Sequence, residues 1–145
     1  YYKNEEATRA VLDADGWYHT GDLGTMSADG HVFIRGRIKN MLLGSNGQNV
    51  YPEEIEDKLN SMAYVNESLI VQKGDKLIGL VHPDYDEAKA MDFNDDDLMS
   101  IMEQNRLKLN EQLPPFCKIS ELRLHEDEFV KTPKKSIKRY LYKDV

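Results

Sequence analysis

Asp29-Gly30 stands between two short strand-like runs, residues 23–26 and 31–35, and an Asp-Gly step in that place predicts a tight antiparallel hairpin. The rest of the chain is broken up in the same way. Residues 41–43 run into Gly44-Ser45-Asn46-Gly47, a second turn, before Asn49 and Val50. Pro52 suits the first position of a helix, Glu53 and Glu54 follow it, and Ile55, Leu59 and Met62 fall at i, i+4 and i+7 on one face. Residues 69–71 and 77–81 read as strands around Lys73-Gly74-Asp75. Leu98, Ile101, Met102 and Leu109 mark a longer helix that stops before Pro114-Pro115, and residues 119–124 suggest one more strand. Strands and helices in this irregular order, with hairpins in place of repeated βαβ crossovers, predict an α+β fold: a small mixed sheet with hairpins, packed by two or three helices.

At 145 residues the chain is one small domain, or a domain with a piece of another, and it can bury a core without disulfides. Cys117 is its single cysteine, so no intramolecular disulfide framework exists, and a reducing, cytoplasmic setting is the simplest reading. The longest apolar runs fall far short of the roughly 20 residues of a membrane span, and nothing at the start resembles a signal peptide. A net charge of −7 argues against wholesale binding of nucleic acid. That charge is uneven. Residues 84–97 hold seven acids and one base, which predicts a solvated loop leading into a helix capped by Asn94. Residues 131–143 hold six bases and no acid, and read either as a surface tail or as a mobile anion-binding segment.

The chemistry-bearing residue types are sparse. The four histidines lie far apart without metal-ligand spacing, so no metal site is predicted, and Cys117 after Pro114-Pro115-Phe116 reads as packing. Neither a Gly-x-x-x-x-Gly-Lys-Ser/Thr loop nor a Gly-x-Gly-x-x-Gly fingerprint is present. Three segments stand out: 16–24, 36–56 and 131–139. Thr20-Gly21-Asp22 reads either as a plain turn or as a glycine-placed carboxylate able to accept hydrogen bonds from both vicinal hydroxyls of a ribose. Arg37 offers a fork of donors to a ribose or phosphate.

In order, these segments resemble the closing motifs of the adenylate-forming superfamily, which includes acyl-CoA synthetases, luciferases and peptide-synthetase adenylation domains. Trp17-Tyr18-His19-Thr20-Gly21-Asp22-Leu23 is similar to its Thr-Gly-Asp motif, which implies that Asp22 binds the adenylate ribose. Gly36-Arg37-Ile38-Lys39 resembles the hinge motif, implying that Arg37 reaches the nucleotide and that Lys39 is the pivot of a domain rotation; Asn40 replaces the usual acid. The segment from Ser45 to Glu56 is similar to the one after the hinge, whose glycine turn, here Ser45, Asn46 and Gly47, approaches the pantetheine of CoA. The last family motif reads Lys-Thr, two variable residues, Gly, the catalytic Lys, an aliphatic residue, one variable residue and Arg. Laid without gaps on Lys131-Thr132-Pro133-Lys134-Lys135-Ser136-Ile137-Lys138-Arg139, it puts Ser136 in the place of the catalytic lysine. A serine cannot supply that lysine's charge. Lys135 or Lys138 must then do so, and in an extended segment their side chains point to opposite faces; a one-residue slip favours Lys135.

The resemblance implies the C-terminal part of an acyl-CoA synthetase, with residues 1–38 ending the large domain and 39–145 forming the small mobile one. The full enzyme would use Mg-ATP to turn a carboxylic acid into an acyl-adenylate and pass the acyl group to CoA, while this segment alone is expected to be inactive. Residues 113–116 and 132–139 look most like long-chain fatty-acid–CoA ligases. The implied partners are fatty acid, ATP, CoA and the missing N-terminal domain, with peripheral membrane contact left open. Two alternatives also stand: an adenylation domain that loads a carrier-protein thiol, and a non-enzymatic module that binds a nucleotide or a protein.

Overall fold

Gly30 donates its N–H to Ser27 O at 3.0 Å and Ser27 donates to His31 O at 2.9 Å, which closes the expected hairpin. Gly30 sits at φ +89°, a conformation that costs glycine little. The hairpin joins β1 (Asp22–Met26) and β2 (Val32–Arg37), antiparallel, with Asp22 opposite Arg37. In this computed structural model, which describes residues 1–145, the hairpin belongs to the first of two compact units, Tyr1–Met41 and Leu42–Val145. The first unit also holds a helix that the sequence did not announce, α1 (Glu5–Arg9). It is one turn long, capped by the Asn4 side chain, and buries none of its residues, so it leaves no hydrophobic periodicity to read.

The second unit starts with a two-stranded ribbon, β3 (Leu42–Leu43) and β4 (Asn49–Val50), followed by α2 (Pro52–Asn60) with Pro52 at its start as expected. Ile55 and Leu59 are buried on the inner face of α2. The sheet consists of β5 (Val65–Lys73), β6 (Lys76–Pro83) and β7 (Ile119–Leu124), in the order β5-β6-β7. β5 and β6 form the predicted antiparallel hairpin, but β7 lies parallel to β6. Parallel neighbours require a crossover. It is made by α3 (Tyr85–Ala90) and α4 (Asp95–Gln112), so one βαβ-like connection does occur.

The acidic stretch is therefore not simply a loop. Asp84 caps α3 by accepting from Glu87 N–H at 3.0 Å, and Asn94 caps α4 in a reciprocal capping box with Asp97, both hydrogen bonds at 3.0 Å. Five of its seven acids, Asp86 and Glu87 in α3 and Asp95, Asp96 and Asp97 in α4, lie in first turns, where the helix dipole favours negative charge. At the far end of α4, Asn110 bonds both the N–H and the C=O of Ile119, which fixes the entry to β7.

The sheet is buried on both faces, and the side chains alternate accordingly. Ile70, Leu77 and Val81 pack with Ile55 and Leu59 of α2 and with Met102 and Leu109 of α4. Leu69, Val71, Ile78 and Leu80 pack on the other side with Phe129, Tyr142 and the half-buried Ile137. The basic C-terminal segment is thus not a loose tail: its Ile137 and Tyr142 pack on a face of the sheet. Gly79 faces the helices, where a Cβ would run into Leu122. Cys117 is buried, and that burial pushes its thiol up, as suits a packing residue. No helix is long and apolar enough to cross a membrane.

Candidate functional site

Gly21 adopts φ +75°, and this left-handed turn lets the chain enter β1 with Thr20 folded back over it. Asp22 N–H donates to Thr20 Oγ1 at 3.2 Å, and Ile38 N–H donates to Gly21 O at 3.0 Å. Arg37, opposite Asp22 in register, places Nη1 at 2.9 Å from Thr20 O and 3.1 Å from Asp22 Oδ1. The structure so brings two predicted site residues into contact at the open end of the β1–β2 hairpin. Both remain accessible, with 35% of the Asp22 side chain and 60% of the Arg37 side chain exposed. A carboxylate offers about four lone-pair sites, so one contact with arginine leaves Asp22 able to accept from hydroxyls.

Lys39 lies exposed in the 3₁₀ turn Ile38–Asn40, just before the compact units part between Met41 and Leu42. Ser45, Asn46 and Gly47 form the exposed tip of the β3–β4 ribbon. Gly44 N–H donates to Gln48 O at 2.8 Å, Gly47 N–H to Gly44 O at 2.9 Å, and Gln48 N–H to Asn46 Oδ1 at 3.2 Å. Gly47 has φ +77° and open space where a side chain would stand. Gln72 of β5 anchors the ribbon by donating to Leu43 O at 2.8 Å.

Lys135 and Lys138 lie in a tight hairpin, not in the extended segment expected. Lys131 bridges Ile137 across it, Thr132 N–H donates to Ser136 O and Lys135 N–H to Thr132 O, each at 2.8 Å. Lys135 itself adopts φ +61°, the left-handed region that favours glycine. In the gap-free alignment with the family motif it stands where the glycine is, with Ser136 next to it at the exposed tip. Lys138 is half-buried, and its N–H donates to Val130 O at 2.8 Å. Arg139 then turns inward onto Glu56 of α2, with Nη1 to Oε1 at 2.7 Å and Nη2 to Oε2 at 2.5 Å. No three His, Cys, Asp or Glu side chains are grouped so as to hold a metal ion.

Residues 39–144 match the family model described as the AMP-binding enzyme C-terminal domain. The chain belongs to this family. Among relatives of the AMP-binding C-terminal domain, it is 38% identical over 105 residues to the 3-[(3aS,4S,7aS)-7a-methyl-1,5-dioxo-octahydro-1H-inden-4-yl]propanoyl:CoA ligase of Rhodococcus jostii, covering 72% of this chain and 20% of that protein. It is also 38% identical over 87 residues to long-chain-fatty-acid–CoA ligase 1 of Saccharomyces cerevisiae, covering 59% of this chain and 12% of that one. The chain thus spans a fifth or less of the length of these two relatives. The solved adenylation domain of a carboxylate reductase from Mycobacterium chelonae superposes with a TM-score of 0.86 at 20% identity, over 99% of this chain and 24% of that one. The fold is accordingly that of an adenylate-forming enzyme's closing segment, α+β as read from the sequence.

Sequence reasoning missed the Glu56–Arg139 pair in this AMP-binding C-terminal domain. Both residues stood in the conspicuous segments, but nothing in the pattern joins positions 83 residues apart. The available signal was an acid adjoining the buried face of α2 and a lone arginine within the basic run.

Proposed function

We propose that this chain is the closing part of an AMP-forming acid–CoA ligase, which activates a carboxylic acid with MgATP to an acyl-adenylate and then transfers the acyl group to CoA. The observation that carries the reading is the Asp22–Arg37 pair, held face to face by a glycine turn in the motif that resembles the family's nucleotide-binding one. Asp22 accepts hydrogen bonds from the ribose hydroxyls, and Arg37 both orients Asp22 and faces the nucleotide with its guanidinium charge. Lys39 lies at the pivot, and the Ser45-Asn46-Gly47 tip is the turn that meets the pantetheine arm. Lys135 and Lys138 are the cations available to the developing charge at the α-phosphate. The relatives named as CoA ligases support CoA as the acceptor, and the fatty-acid ligase among them supports a long-chain acid as substrate.

In the full-length protein, Asp22→Ala is expected to lower kcat/KM for ATP by an amount equivalent to about 1.5–3 kcal/mol, the worth of a hydrogen bond to a charged group. Steady-state kinetics with ATP varied at saturating acid and CoA measure this. Unchanged ATP kinetics would remove Asp22 from the nucleotide site.

A further inference from the structure

The basic hairpin is fixed at both feet. At its start, the Lys131 ammonium pairs with the Glu67 carboxylate of β5. At its end, Arg139 makes the two-pronged contact with Glu56, whose side chain is only 8% exposed. Glu56 Oε1 also accepts the N–H of Ile70 in β5 at 2.8 Å, so the carboxylate is held by the sheet before it holds the arginine. Ile137 packs beneath the hairpin on the cluster built around Leu69 and Leu80. These contacts leave the segment between Lys131 and Arg139 little freedom except at its exposed tip. Burial pushes the Glu56 carboxyl up while the hydrogen bonds and charge of Arg139 pull it down. Without Arg139, burial would favour the neutral acid, and each partner is therefore needed to keep the other in place.

We propose that Glu56 is a positioning residue for the adenylation step: by clamping Arg139 against α2 and β5 it sets where the hairpin presents Lys135 and Lys138. This rests on the ligase reading above. Electrostatic stabilisation of a transition state depends on donors already being in place, and a misplacement of about 1 Å can cost on the order of 10²-fold in rate. Glu56 touches no substrate in this scheme; it acts through Arg139 and the turn that precedes it.

Glu56→Gln keeps the shape and an acceptor for Ile70 N–H while removing the charge. Two measurements on the full-length protein test the clamp. Amide hydrogen exchange at Thr132, Lys135 and Lys138 is expected to accelerate on the order of tenfold or more, with the β5–β6 amides unchanged. Pyrophosphate exchange is expected to fall about 10- to 100-fold with the KM for ATP within about twofold, while CoA transfer from supplied acyl-adenylate is retained. Arg139→Gln should act alike, and the double variant should be no worse than either single one. Unchanged protection of the three amides, or equal loss of both half-reactions, would overturn the proposal. A wild-type protein without acid-dependent pyrophosphate exchange would instead overturn the ligase reading, and the amide exchange would still decide the clamp.

Discussion

Lys135→Gly in the full-length protein is expected to slow pyrophosphate exchange on the order of 10²–10³-fold, the cost of removing one well-placed charge from a dry site. Glycine is the informative replacement because Lys135 sits at φ +61°, so the turn is relieved while the ammonium is deleted. Any loss is then a loss of charge and not of backbone shape. The variant also prepares its own rescue. Lys135→Gly combined with Ser136→Lys recreates the Gly-Lys pair of the family's closing motif on an unchanged hairpin, and exchange should return toward the wild-type rate. Lys138→Ala is expected to have a small effect, since Lys138 is half-buried and its backbone is tied to Val130. A small effect of Lys135→Gly together with a large one of Lys138→Ala would transfer the role to Lys138. Near-normal exchange in both would mean that the hairpin supplies no catalytic cation.

Lys39→Pro is expected to separate the two half-reactions. Proline fixes φ near −65° and removes a donor, and the 3₁₀ turn around Lys39 is flanked by the hydrogen bonds Ile38 N–H to Gly21 O at 3.0 Å and Met41 N–H to Ile38 O at 3.3 Å. A pivot at this place must change its backbone angles between adenylation and thioester formation, so a locked φ should trap one arrangement. One half-reaction then survives, and the other falls on the order of 10²-fold or more. Single-turnover assays of acyl-adenylate formation, and of thioester formation from added acyl-adenylate, separate them. Equal loss in both would argue that Lys39 is not a pivot.

What was legible in the sequence was local. The Asp29-Gly30 turn and the Asn94 cap each depend on residues a few positions apart and form as read, and so does the inner face of α2 at Ile55 and Leu59, although the helix ends at Asn60, before Met62. Asp22 and Arg37 are 15 positions apart, and the hairpin register, which runs past the strands read from the sequence, joins them at one strand end. Long-range pairing was not legible. Nothing local makes β7 lie parallel to β6, because that choice is set by the length of α4 and by Asn110 gripping Ile119. α3 buries only Ala88, too little for a periodic pattern. The basic run looked like a tail because one of its chief anchors, Phe129, lies just upstream of it, and the acid that neutralises Arg139 stands on α2. The left-handed backbone at Lys135 was also hidden, since a lysine gives no sign of the conformation that glycine advertises.

The nucleotide product formed by the full-length protein with MgATP, CoA and a series of fatty acids tests directly whether it is an AMP-forming ligase. Acid-dependent conversion of ATP to AMP and pyrophosphate is expected, with one acyl-CoA thioester formed for each AMP released. Release of ADP and phosphate, or no acid-dependent turnover of ATP with any member of the series, would contradict it.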